Sequence, residues 1–167
     1  MKSFIQLIVF SLHLLFQAVE RIFTPGSVLL ANFGPGVHDN GIVSKNADAV
    51  TTTRFLLGKV GVGLVGSTCA VCGISDTPKY ILHDAAAVIA DPVACRILGL
   101  GAGTDKMVAG AVVTFGEKLV PMAGGLVKPL PTASGTYWVV AEAEQAAAID
   151  DDFEVSPCLP YQVVVTS

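Results

Sequence analysis

Gly61-Val62-Gly63-Leu64-Val65-Gly66-Ser67-Thr68-Cys69-Ala70-Val71-Cys72-Gly73 carries two spacings at once, a G-x-G-x-x-G (Gly61, Gly63, Gly66) and a C-x-x-C (Cys69, Cys72). A dinucleotide loop would make the chain α/β, because its glycines must lead from a strand into a helix whose free N–H groups face the pyrophosphate. Here the glycines lead instead into small and β-branched residues and then into Gly73 and Ser75-Asp76-Thr77-Pro78. No helix can start there. Glycines in a strand or bulge, where another part of the chain approaches closely, account for the pattern, and the stretch reads as β-strand. On a strand, Cys69 and Cys72 point to opposite faces and cannot share one metal or close a bridge.

The chain outward from this stretch has the same character. From Ser27 onward, short apolar runs alternate with Gly, Pro, Asn and Asp punctuation. Strands are expected over 27–33, 54–65, 79–83, 93–100, 111–116, 118–122, 136–143, 153–155 and 161–166, an antiparallel β-barrel or sandwich of many short strands. A weak repeat runs through it at an offset of 60: Asp84, Ala86, Ala87, Ile89, Asp91 and Val93 recur as Glu144, Ala146, Ala147, Ile149, Asp151 and Phe153. Two similar units within one sheet system would explain it.

The N-terminus differs. Residues 1–23 begin with a Lys and a long apolar run, as a secretory signal would, but Gln6, Ser11, His13 and Gln17 interrupt it and no Ala-x-Ala site follows. On a helix, Ser3, Gln6, His13, Gln17 and Glu20 share a stripe, and Phe4, Ile8, Leu15, Val19 and Ile22 lie opposite. This face is the candidate partner-binding surface; a membrane or signal segment and an intrachain core helix are the other readings. Thr24-Pro25-Gly26 ends the helix. The expected organisation is therefore an amphipathic helix or arm over 1–26 and a β-rich domain over 27–167.

Composition narrows the function. The 167 residues are 52% hydrophobic and 14% charged, far from the Lys- and Glu-rich surface of a solitary soluble domain, so much of the surface is expected to be covered by other protein. The ten Lys and Arg are scattered and the formal net charge is −4, which excludes the basic face that nucleic-acid binding requires. The four cysteines read as small buried hydrophobes. His38-Asp39 and His83-Asp84 lack the rest of a metal-hydrolase set, and Asp150-Asp151-Asp152 lacks the spacing of a calcium loop. No catalytic residue, metal or cofactor is expected, and no enzymatic activity.

Two longer segments carry a resemblance. Cys72–Gly99, CGISDTPKYILHDAAAVIADPVACRILG, and the segment from Met107 to Val165, with Val108-Ala109-Gly110-Ala111-Val112-Val113, Gly135-Thr136-Tyr137 and the ending Phe153-Glu154-Val155 through Pro157-Cys158 to Val163-Val164-Val165, resemble the capsid decoration (cement) proteins of tailed bacteriophages. The resemblance implies a β-rich homotrimer or other homo-oligomer that binds and stabilises the shell of major capsid protein, on the outer face of a virion assembled in the host cytoplasm. A secreted or membrane-anchored β-domain, of adhesin or surface-layer type, is the alternative.

Overall fold

The computed structural model describes residues 41–62 and 68–166, which fall within one compact unit spanning residues 35–167. Ten strands cross the described residues: β1 Ile42–Ala47, β2 Leu56–Val60, β3 Thr68–Val71, β4 Tyr80–Leu82, β5 Pro92–Ile97, β6 Asp105–Val108, β7 Lys118–Pro121, β8 Val127–Pro129, β9 Gly135–Ala143 and β10 Asp152–Val165. The mainly β expectation is met. The expected N-terminal helix, with Phe4, Ile8, Leu15, Val19 and Ile22, lies outside the described residues.

The first five strands close into a barrel, which can be read around as β1-β5-β4-β2-β3; the second five form a sheet in the order β6-β10-β9-β7-β8. The two orders match strand for strand. The barrel closes through a parallel pair, β1 with β3, in which Ala47 faces Cys69. In the second half a single parallel bridge, Ala109 with Val127, stands at the same place in the wiring. Two further bridges correspond in the same way, Thr51 with Ala86 and Val113 with Ala147. The repeat seen in the sequence is thus a repeat of topology.

Burial explains the strands. Leu56, Leu82 and Cys95 lie directly opposite one another across β2, β4 and β5, and with Ala47, Cys69, Tyr80 and Val93 they form one buried cluster drawn from all five barrel strands. In a closed barrel such a cluster is the interior. Gly58 makes the close approach that its strand position implied: a Cβ there would sit 2.8 Å from Leu82 Cδ2 and 3.3 Å from Tyr80 Cβ. The alternate residues Leu57 and Ile81 face outward into a second cluster, where they meet Met107, Leu119, Phe153 and Val155. The two halves share that core.

Between the halves runs a short linker, residues 98–104. Gly99, Gly101 and Gly103 have φ of 75°, 87° and 90°, a region open to glycine at little cost. Arg96, 8% exposed, clamps the linker: its Nη1 donates to Thr104 O (2.9 Å) and its Nη2 to Gly103 O (3.0 Å) and Ala102 O (3.3 Å).

Three sequence expectations are corrected. The strand expected over 54–65 is shorter within the described residues: β2 runs only from Leu56 to Val60 and pairs antiparallel with β3, and Gly61 follows its end, while Gly63 and Gly66 lie outside the described residues. At Gly61 a Cβ would collide with the Asp48 carboxylate and the Thr68 hydroxyl. Residues 111–116 form a loop whose one ladder contact is the Val113 bridge. Conversely, the segments 153–155 and 161–166 belong to a single strand, β10, which carries Pro157 and Pro160 across a register shift against β9.

Candidate partner-binding surface

Each half carries the same turn. Asp91 Oδ2 accepts the Val88 amide at 2.9 Å, and Asp151 Oδ2 accepts the Ala148 amide at 3.1 Å. The preceding residues, Ala90 and Asp150, are both left-handed. Ala90 N donates to Ala47 O and Asp150 N to Ala109 O, each at 2.8 Å. Ala47 N and Ala109 N return bonds to Asp91 O and Asp151 O, each at 2.9 Å. Every turn is therefore locked at both ends, by its own Asp and by the segment that crosses it.

On these rigid turns stand apolar side chains that the fold leaves in solvent. Ile89 is 68% exposed and Ile149 57%, at equivalent positions; on the crossing segments Val50 is 54% and Val112 65% exposed. Val88 and Phe115 add to the two points. Single exposed apolar residues are ordinary, but an exposed Ile on each of two locked turns, with an exposed Val on each crossing segment, makes these turns the candidate contact surface. Burying one such large side chain contributes about 1.5–3 kcal/mol before ordering costs.

Sequence reasoning alone does not find this surface, although a signal for it is present. Ala47, Ala49, Val50 and Thr52 recur as Ala109, Ala111, Val112 and Thr114, an extension of the repeat at an offset of 62. The apolar run at 111–116 reads as a strand because its exposed Val112 and Phe115 look, in sequence, like core.

The polar residues weighed in sequence are occupied structurally. Cys69 belongs to the barrel interior and Cys72 to the shared core, on opposite sides as expected. Burial pushes the Cys72 thiol up to about 12. Cys69 has a partner that spacing could not reveal, Cys95, and the hydrogen bond between them together with burial holds the Cys95 thiol far above its ordinary range. All four cysteines are free thiols.

His83 does not pair with its neighbour Asp84. Its Nε2 lies 2.8 Å from Asp105 Oδ2, and Arg96 Nη1 donates to the same oxygen at 3.3 Å, while Asp84 accepts the Ala94 amide at 3.0 Å. The Asp150–Asp152 cluster is exposed where the turn meets β10, with Asp152, the first residue of that strand, paired to Lys106 at 2.7 Å. Among the described residues no three His, Cys, Asp or Glu side chains converge as a metal would require. His38 and Asp39 lie outside the described residues.

Neither a family model nor a curated protein matches the chain. Among solved structures, the fold is similar to the N base of head fiber gp8.5 in bacteriophage phi29, with a TM-score of 0.55 and 14% identity over 70% of this chain and 92% of that chain. At that identity the likeness is one of fold.

Proposed function

We propose that this chain is a non-enzymatic structural protein of a tailed-phage virion, a decoration subunit attached to the outer face of the major capsid protein shell. The observation that carries the reading is the shared fold: the chain reproduces nearly the whole of a head-fiber base. Its own surface supports the same role, because two rigid, equivalent apolar points suit a partner that presents the same contact more than once. The apolar side of residues 3–23, with Phe4, Ile8, Leu15, Val19 and Ile22, is proposed as a further contact, to the shell or within a homotrimer or other homo-oligomer.

Co-sedimentation tests the proposal. Purified protein is mixed with capsids assembled without it and with capsids already carrying it. Saturable binding to the first and not to the second is the expected outcome, with a raised melting temperature of the decorated shell. Protein that stays in the supernatant with both overturns it. The fold of the head-fiber base also favours a second reading, in which the chain anchors a projecting fibre; electron microscopy of the decorated shells distinguishes a flush knob from the foot of a longer appendage.

A further inference from the structure

Away from the repeated turns, a cavity of about 250 Å³ opens where residues Ile74 and Ser75, from the loop between β3 and β4, overhang the sheet of the second half. Its floor crosses several strands. Trp138 on β9 is paired with Gln162 on β10, and Thr136, two residues along β9, shares their face. Lys128 on β8 stands opposite Val120 of β7, and both line the same cavity.

The cavity combines a half-buried indole with a rim of polar groups open to solvent: Ser75, Thr136 and Gln162 are exposed, Lys128 is half-buried, and none of them, nor the Trp138 N–H, makes a hydrogen bond or ion pair with the described residues. A half-buried indole in a cavity rimmed by hydroxyl, amide and ammonium groups fits a ligand that has an apolar ring face and a rim of hydroxyls.

We infer that this cavity binds a saccharide. The sugar ring stacks on Trp138, its hydroxyls bond to Gln162, Thr136 and Ser75, and Lys128 selects sugars that carry a carboxylate. The volume accommodates one ring, and a single ring in an open cavity gives a Kd on the order of 1 mM. The site is separate from the repeated turns, so shell attachment and sugar binding can fail independently.

Trp138 is the only tryptophan in the chain, which makes it a reporter. The full-length protein is titrated with glucose, N-acetylglucosamine and glucuronic acid, followed by tryptophan fluorescence and by saturation-transfer NMR on the sugar protons. Saturable binding is expected, with glucuronic acid preferred over glucose by roughly fivefold or more, the scale of one charge-assisted contact. In Lys128→Gln the preference is expected to vanish while glucose binding persists; in Trp138→Ala, saturation transfer is expected to disappear for all three sugars. Gln162→Ala, on the solvent side of its strand, repeats the loss without risk to the fold. Absence of a saturable response to every sugar up to about 50 mM overturns the inference, as does binding that survives both Trp138→Ala and Gln162→Ala.

Discussion

Ala90 and Asp150 hold the same backbone conformation sixty residues apart, with φ of 71° and 69°. Each precedes the aspartate that caps its turn, and each sends its amide to the crossing segment. The left-handed region is costly for a residue with a Cβ and least so for Asp or Asn. Ala90→Gly is therefore expected to raise stability by about 0.5–1 kcal/mol, and Asp150→Gly by less. Denaturant unfolding of both variants checks the order. A destabilised Ala90→Gly would show that the turn tolerates its strain.

Asp105 governs the acid limb of stability. Burial opposes its charge, but the hydrogen bonds from His83 and the Lys106 amide and the nearby Arg96 outweigh it and hold the carboxyl below its ordinary range. A depressed carboxylate contributes stability that is complete above its unfolded value, about 3.9, and is lost as pH falls through the lower folded value. Asp105→Asn is expected to flatten the unfolding free energy below about pH 4 and to cost about 2–3 kcal/mol at pH 7, because Arg96 loses its counter-charge while buried. Asp76 and Asp152 are also held low, by Lys59 and Lys106, but at exposed sites where solvent screens the gain, so a shallow acid slope is expected to remain.

Thiol chemistry follows burial. Cys158 is half-buried, whereas Cys69, Cys72 and Cys95 are buried, and burial holds the Cys72 thiol protonated, with its pKa pushed up to about 12. Alkylation with iodoacetamide, read by mass spectrometry, is expected to label Cys158 first and the other three only as the protein unfolds. Cys72→Ala is expected to fold and to cost about 1–2 kcal/mol, as a small core truncation does. Early labelling of Cys72 in the native protein would contradict its placement in the shared core.

The repeated apolar points separate binding from folding. Ile89→Ser and Ile149→Ser remove exposed side chains from turns locked by backbone and Asp bonds, so the melting temperature is expected to stay within about 2 °C of the parent. Capsid occupancy in the co-sedimentation assay is expected to fall in each single variant and to collapse in the double. A double variant with full occupancy would remove these turns from the attachment surface.

Much of this architecture was legible in the sequence where burial is uniform. β4, β5, β7 and β9 each contain an apolar run with side chains in one core or the other, and their positions were expected to within a few residues. β1, with its Ser, Lys and Asn, and β6, with Asp105 and Lys106, are half-exposed and polar, so no apolar run marks them. β10 was divided in two because Pro157 and Pro160 signal a break that the register shift absorbs. The contact surface was hidden for the opposite reason: an apolar side chain on a locked turn has the same letter as one in a core. The thiol pair of Cys69 and Cys95 depends on barrel closure, which no spacing encodes.

The clamp on residues 98–104 has a consequence for how copies of the chain meet one another. Two halves with identical wiring and a common core can, in principle, trade partners: the first half of one molecule can seat against the second half of another, with the linker as hinge. Arg96 ties three successive carbonyls of that hinge into a tight bend, which is expected to disfavour the exchange. Arg96→Ala is therefore expected to release a slowly exchanging domain-swapped dimer when the protein is refolded at high concentration, visible as a second peak in size-exclusion chromatography. On this reading, the buried guanidinium keeps each copy's two halves together, so that a duplicated fold completes itself within one chain whatever oligomer the chains then form.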